Sequence, residues 1–488
     1  MTNTAQSEPG TGRMSRRAFL STSVAVGAGL VAAGCGGSPT SAAKGSSSAP
    51  GGKHQRLTGT LTFYDHQAFS SNATGKHLIS EYEKLHPGVK INIVSAPAAQ
   101  IDTYVNTLME GGSPPDLFVM ATNMSPWQNI KDNWWANLTS YANAPNPYVK
   151  GNKHWTDLVL PGVLPTMYFR HNEIYSMTTT GFDVAFFYNK SVFSKLKVDP
   201  PTTWAELISA LEKAKHAGYI PFFCCLGELQ YGDQTPGLLM ILQDTIMNRT
   251  IDRLNPSHPS GAVTVAELVK GINDGVYSAK NADYQESWKL FKSLAPYMQR
   301  GPASANDSSI GLAAFESGKV ATWFEGSFNA PSITKVDWGA FVVPNLTPQT
   351  TKFSTTGQQR KGAYGATAGY PFAIPTASQK NGKFDLAMDF VYWMSTPAQS
   401  ERFAAANGVL DLNRHGKNAP DLGPFVQAAN TVSRLSVAEL ALPQNFFITR
   451  AKLLEGYVLG QFSLGTAMSQ MQTLMEQSAS QAKTEFGL

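Results

Sequence analysis

The side chains with the most chemistry to offer cluster near the ends of predicted strands. Glu325, Phe328 and Asn329 close the run Asp307–Asn329, DSSIGLAAFESGKVATWFEGSFN. A carboxylate, an amide and a ring within five residues can hold a small molecule: the ring offers a face to stack on, while the carboxylate and amide accept and donate hydrogen bonds. Similar groupings recur. Asp65 and His66 end the alternating stretch Thr60–Tyr64, and Asn123 and Trp127 follow the apolar run that ends at Met120. Phe182 and Asp183 lie in TGFDVAFFYNK, Thr180–Lys190, which reads as one strand. Tyr231 and Gln234 sit in the polar loop Glu228–Gln234, and Tyr364 sits among glycines in GAYGATAGYPFAIP. Each has a structural alternative. Asp65 and His66 otherwise cap the next helix, Asp116 fits a turn cap behind two prolines, and adjacent Trp134 and Trp135 cannot both face one surface.

Other chemistries lack their signatures. The chain has no GxSxG elbow, HExxH or phosphate loop, and the glycines at 362–369 do not fit GxGxxG. Its nine His show no metal-ligand spacing, and an iron site would need clustered Tyr, His and carboxylates where the sequence has no Tyr-Tyr pair. No basic run or aromatic-studded motif points to nucleic acid. The expectation is a protein that is not an enzyme and holds neither metal nor cofactor. A carbohydrate-active enzyme using two carboxylates is the catalytic alternative, because sequence spacing does not exclude such a pair. Cys224 and Cys225 follow an apolar run and read as two buried thiols, with a vicinal disulfide as the alternative.

At 488 residues, with 42% hydrophobic and 15% charged side chains, the chain is too long for one core and suits two α/β lobes. The net charge of +4 includes a basic leader and implies no polyanionic partner. Ser15-Arg16-Arg17-Ala18-Phe19-Leu20 looks like a twin-arginine export signal; a short uncharged run follows and ends in Val31-Ala32-Ala33-Gly34-Cys35, which is similar to a lipobox. The expectation is a signal peptide over 1–35 and lipid attachment at Cys35. Residues 36–57, rich in Gly, Ser, Ala and Pro, read as a disordered tether reaching about 25 Å.

Several elements position the candidates. A strand, a helix carrying Leu78, Ile79, Tyr82 and Leu85, and a strand with Val89, Ile91 and Ile93 form a βαβ unit, hence parallel pairing. Tyr104, Val105, Leu108 and Met109 mark a second helix before the strand after Asp116. Thr203 and Glu206 form a capping box. Ile310, Ala313 and Ala314 recur at helical spacing between an Asp307 cap and a Gly318 stop, and a buried strand, Val320–Phe324, follows. Leu386, Phe390, Trp393 and Met394 form one helical face. Thr396-Pro397 caps and opens the next helix, Asn407-Gly408 closes it, and a Met-rich stripe from Leu464 to Met475 marks a core-facing terminal helix.

Ordered segments of this kind resemble the family 1 extracellular solute-binding proteins, the sugar-binding lipoproteins of bacterial ABC importers. The matching stretches are Ser113–Met120, Thr180–Lys190, Pro200–Leu207, Phe315–Phe328, Gly362–Lys380 and Ala404–Asp411, where Asp411 replaces the usual Pro. The resemblance implies a two-lobed, type II periplasmic-binding-protein-like α/β fold with three crossovers, lobe 1 over 58–183 and 370–408 and lobe 2 over 184–369 and 409–488. It implies carbohydrate captured between the lobes by the residues named above, with Arg414 reaching the cleft past the third crossover, and delivery by a monomer to a membrane permease. The same fold binding a polyamine, iron complex, phosphate ester or peptide is the alternative.

Overall fold

The computed structural model describes residues 57–66, 68–95, 101–120, 132–168, 173–227, 235–257, 261–354, 367–435, 438–439 and 441–488. The expected leader and tether, with Cys35, lie outside them except for Leu57. The described strands gather in three sheets. In the first, β1 (Thr58–Asp65) runs parallel to β2 (Gly88–Val94) and β3 (Leu117–Val119), and β10 (Phe372–Ala373) adds antiparallel to β3, giving the order β10-β3-β1-β2. The helix Ala73–Leu85 makes the β1–β2 crossover. Asn72 caps it, accepting the Gly75 amide at 2.7 Å, and Leu78, Ile79 and Tyr82 form its buried face.

The second sheet has the order β6-β7-β5-β8: β5 (Val184–Asn189), β6 (Ile220–Phe223), β7 (Val320–Gly326) and β8 (Trp338–Phe341). Every residue of β7 is buried because both faces of the sheet are covered. Phe186, Phe222, Phe324 and Phe341 enter one hydrophobic core with the helices Trp204–His216, Thr235–Ile246, Ala282–Lys292 and Leu464–Phe486. Phe187, Trp323 and Phe223 enter a second core, which also takes Phe63, Phe69 and Phe390 from around the first sheet. This second core thus takes residues from both expected lobes.

The third sheet is small. β4 (Thr180–Phe182) lies between β11 (Leu410–Asp411) and β9 (Thr367–Ala368), antiparallel to both. Three distant stretches of chain meet there.

Most local readings hold. The Thr203–Glu206 capping box forms, Asp307 caps its helix, Gly318 and Gly408 are left-handed at φ +73° and +65°, and the 464–475 stripe is mainly buried. Four do not. Thr180–Lys190 is not one strand: Asp183 breaks it, and Lys190 opens a helix that Asn189 caps through the Val192 amide. Ile310 and Ala313 are exposed, and Gly311 and Phe315 are the buried pair of the Ser308–Glu316 helix. The helix rolls this way because Gly311 lies on the Trp323 indole, where any Cβ would fall 2.6 Å from Nε1. Thr396 opens its helix without a side-chain cap, its hydroxyl bonding back to the Trp393 carbonyl at 2.9 Å. Leu85, last in the first helix, is 52% exposed. Cys224 and Cys225 are buried and not joined in a disulfide, and they lie in different cores, one on each face of the sheet, as expected for consecutive extended residues.

Candidate functional site

Strand β7 ends at Gly326, and a short 3-10 turn, Ser327–Ser332, carries the chain away. Across from it β5 begins, pairing Ala185 with Glu325 and Val184 with Gly326. Asp183 therefore comes opposite Ser327, and the Ser327 amide donates to the Asp183 carbonyl at 2.9 Å. This register puts Asp183 and Glu325 on one face, diagonal to each other. Phe182 and Phe328 meet edge to face with ring centroids 5.3 Å apart. Gly326 permits this: a Cβ there would lie 2.1 Å from the Phe328 ring. Phe182, Asp183, Glu325, Phe328 and Asn329, taken from two separate motifs, thus meet at the ends of two paired strands, with the two rings on one face of the sheet and the two carboxyl groups on the other.

Its polar groups are deeply placed. Asp183 and Glu325 are fully buried. Glu325 Oε1 accepts the Gly326 amide at 2.7 Å. Asp183 Oδ1 accepts the Val184 amide at 2.7 Å, while Oδ2 has no hydrogen-bond partner among the described residues. Burial pushes Asp183 up to about 8, against the opposing pull of that amide. Asn329 is 9% exposed, and its Nδ2 likewise lacks a partner among the described residues.

The third sheet abuts this cluster. Thr178 and Thr180 hydroxyls both donate to the Gly369 carbonyl, at 2.9 and 2.6 Å. Asp411 pairs with Thr180 across the β11–β4 ladder. Its Oδ1 lies 2.6 Å from Ser400 Oγ and 3.0 Å from the Asn413 amide. Burial raises Asp411 to about 6, with those donors opposing. Sequence reasoning noted Asp411 only as a departure from the family pattern, and missed Ser327, Ser400 and the two threonines. Tyr370, between β9 and β10, holds φ +53° and also carried no sequence signal.

Other candidates are committed elsewhere. Asp65 is fully buried at the end of β1, and both oxygens accept the Phe69 amide while Oδ2 takes Ser70 at 2.7 Å. It organises the turn before the first helix instead of facing solute. His66 beside it is half-buried, and burial lowers its pKa against the pull of Asp65. Arg414 is exposed, with Nη2 donating to the Val159 carbonyl at 3.3 Å. Asp116 is structural as expected, accepting the Thr62 amide at 2.8 Å. Trp135 is buried edge-on against Phe118. Asn123, Trp127, Tyr231, Gln234 and Tyr364 lie outside the described residues. Among the described residues no helix is long and apolar enough to cross a membrane.

Comparison with known proteins agrees with this architecture. The multiple sugar-binding protein of Streptococcus mutans is 25% identical over 380 residues, covering 75% of this chain and 79% of the relative. The solved apo structure of RafE from Streptococcus pneumoniae superposes with a TM-score of 0.66 at 16% identity, covering 86% of this chain and 98% of that one. The sugar-binding protein MalE of Xanthomonas citri gives 0.66 at 15% identity, covering 88% and 99%. The fold is thus the two-lobed, type II binding-protein fold. The sequence profile described as bacterial extracellular solute-binding protein matches residues 67–401, most of the chain, and the protein belongs to that family.

Proposed function

We propose that the protein captures a carbohydrate in a cleft between two lobes and hands it, unaltered, to the permease of an ABC importer. The lobes comprise 58–183 with 370–408, and 184–369 with 409–488. The observation that carries the reading is the end of β7, where two aromatic rings in edge-to-face contact, two buried carboxyl groups and an amide gather within a few residues of the junction with the three-stranded sheet. That sheet draws its strands from three distant passages and is two or three residues deep, so it can bend without unzipping a long ladder. A solute touching both lobes binds the closed form better and shifts the population toward it. The relatives point the same way: one is named for multiple sugars, and other structures of this fold are a raffinose complex and a chitin oligosaccharide binding protein. Asn123, Trp127, Tyr231, Gln234 and Tyr364 complete the lining in this reading. Export through the twin-arginine signal and a lipid on Cys35 place the monomer outside the cytoplasmic membrane.

A thermal-shift screen over mono- and oligosaccharides tests it. A ligand at one hundred times its Kd stabilises the native state by about 2.7 kcal/mol, and the matching sugar raises Tm accordingly. Phe328→Ala lowers that affinity at least tenfold. A response only to polyamines, phosphate esters or peptides, or turnover of an oligosaccharide, overturns the carbohydrate-binding reading.

A further inference from the structure

The backbone marks one further residue. Among the described residues eleven glycines take a positive φ, and three other residues do: Asn133, Lys197 and Tyr370. Asparagine tolerates that region, and Lys197 ends the helix Lys190–Leu196 at an exposed position. Neither account covers Tyr370, an aromatic residue held at φ +53° in the crossing from one sheet to another. Pro371 follows it, and a residue before proline is normally driven to the extended region. The strain persists because both sides are fastened. On one side the Gly369 amide donates to the Thr180 carbonyl at 2.9 Å, and Gly369 lies so close to Gly181 that a Cβ would fall 2.9 Å from its Cα. On the other, the Met120 amide donates to the Pro371 carbonyl, and Phe372 and Met177 each donate an amide to the other's carbonyl, all at 2.9 Å. Residues 369–371 alone must join β9 to β10, and Tyr370 absorbs the difference. Costly backbone of this kind gathers where function uses it.

The ring has a definite place. It is half-buried and meets Phe403 edge to face, with centroids 5.7 Å apart. Burial raises the phenol pKa, and the Asp65 carboxylate adds to the rise, which puts the phenol within reach of that charge and keeps it protonated. Asp65 closes β1, whose carboxyl end, with those of β2 and β3, is the edge where open α/β sheets take their ligands. The Asp65 oxygens already serve the Phe69 and Ser70 amides, whereas Tyr370 brings an apolar face and a hydroxyl to the same edge. We propose that Tyr370 is a specificity-determining contact for a carbohydrate, its ring stacking on the face of one pyranose and its hydroxyl donating to a sugar oxygen. The inference rests on the carbohydrate reading above and deepens it. In the lobe assignment given there Tyr370 opens lobe 1 and Phe328 belongs to lobe 2, so each lobe brings a ring to the solute. A ring platform favours pyranoses with equatorial hydroxyls, whose faces are lined by C–H groups. The fastened backbone orders the ring before the sugar arrives, which lowers the cost of binding.

The test uses the full-length protein and a panel of glucose, galactose, raffinose, maltotriose and chitotriose. For the sugar that raises Tm most, isothermal titration calorimetry should show Tyr370→Ala binding more weakly than the wild type by at least about tenfold. Tyr370→Phe keeps the platform and should lose about threefold to tenfold, the share of one hydrogen bond. Tyr370→Gly separates contact from packing. It should bind as poorly as Tyr370→Ala yet melt above it without sugar, because glycine takes a left-handed φ freely. A purely structural Tyr370 would instead lower the melting point in all three variants and leave affinity alone. Far-UV circular dichroism checks that each variant folds. Wild-type affinity in Tyr370→Phe, or in Tyr370→Ala and Tyr370→Gly, overturns the proposal and leaves the carbohydrate reading standing. A wild-type protein that no sugar of the panel stabilises overturns both.

Discussion

The molecule buries carboxyl groups in two ways. In the helical core, Glu439 and Arg450 are both fully buried, and Arg450 Nη1 donates to Glu439 Oε2 at 2.8 Å. Tyr277 donates to the other carboxylate oxygen, and the Phe446 and Phe447 rings lie 5.1 and 5.3 Å from the guanidinium. Burial alone would depress Arg450, yet Glu439 and its neighbours hold its pKa above the ordinary value, so the cation persists. At the junction of β4, β5 and β11, Asp183 and Asp411 are also buried and have no such cation among the described residues; both are raised instead. The contrast separates two purposes. A charge that cements packing brings its counter-charge with it. An acid left to be neutralised by protonation marks a place where packing is not optimised for stability, and such places are candidates for function.

The largest test removes the counter-charge. Glu439→Ala leaves Arg450 buried beside an apolar methyl, and loss of one partner of such a pair costs about 3–5 kcal/mol. Urea unfolding followed by tryptophan fluorescence reads it as a lower midpoint. Replacing both partners together, Glu439→Leu with Arg450→Met, should recover most of that loss. A double variant as unstable as the single one would show that the core needs the charges themselves.

The junction responds to pH instead. Asp183 has a folded-state value raised to about 8, against about 3.9 for an unperturbed Asp. An acid raised on folding leaves stability intact below its unfolded value and erodes it as pH rises toward its folded value. The native protein should therefore lose stability between about pH 4 and pH 8 from this group, on the order of a few kcal/mol. Asp183→Asn removes that contribution, and its urea midpoint should fall less over the same range. Parallel curves for the two proteins would show that Asp183 is ionised throughout and make the two regions alike.

How much of this was written in the chain depends on distance. The βαβ unit, the capping box at Thr203, the left-handed stops and the terminal helix rest on neighbours within a few residues, and all were legible. The face of the Ser308–Glu316 helix was not, because it is set by the Trp323 indole, which Gly311 admits and apolar spacing does not encode. Phe182 and Phe328 were each legible from the end of a strand, but their contact depends on the β5–β7 register. Asp65 looked like a cleft residue for the same reason and is spent on the amides of its own turn. The Arg450–Glu439 pair joins residues eleven apart across a bend, and Tyr82, Tyr148 and Asp389 join over three hundred residues. No local pattern announces contacts of that kind.

The smallest prediction isolates one hydrogen bond within the junction. Ser400 is buried at 1% exposure, and its hydroxyl lies 2.6 Å from Asp411 Oδ1 and 2.8 Å from Thr179 Oγ1. Donation to Asp411 favours the ionised carboxylate and holds its value near 6 where burial alone would lift it further. Ser400→Ala deletes the donor and leaves the Asn413 amide, so the titration of Asp411 should move up. The sign follows: below about pH 4 the acid is protonated in both states and the variant loses little through this bond, whereas above pH 6 it forfeits a hydrogen bond to a charged group, about 1.5–3 kcal/mol. Carbon-13 chemical shifts of the labelled Asp carboxyl report the titration directly, and urea unfolding at pH 5 and pH 8 reports the energy. An unmoved Asp411 with an equal loss at both pH values would mean that Ser400 serves Thr179, and that burial by itself sets the acid of β11.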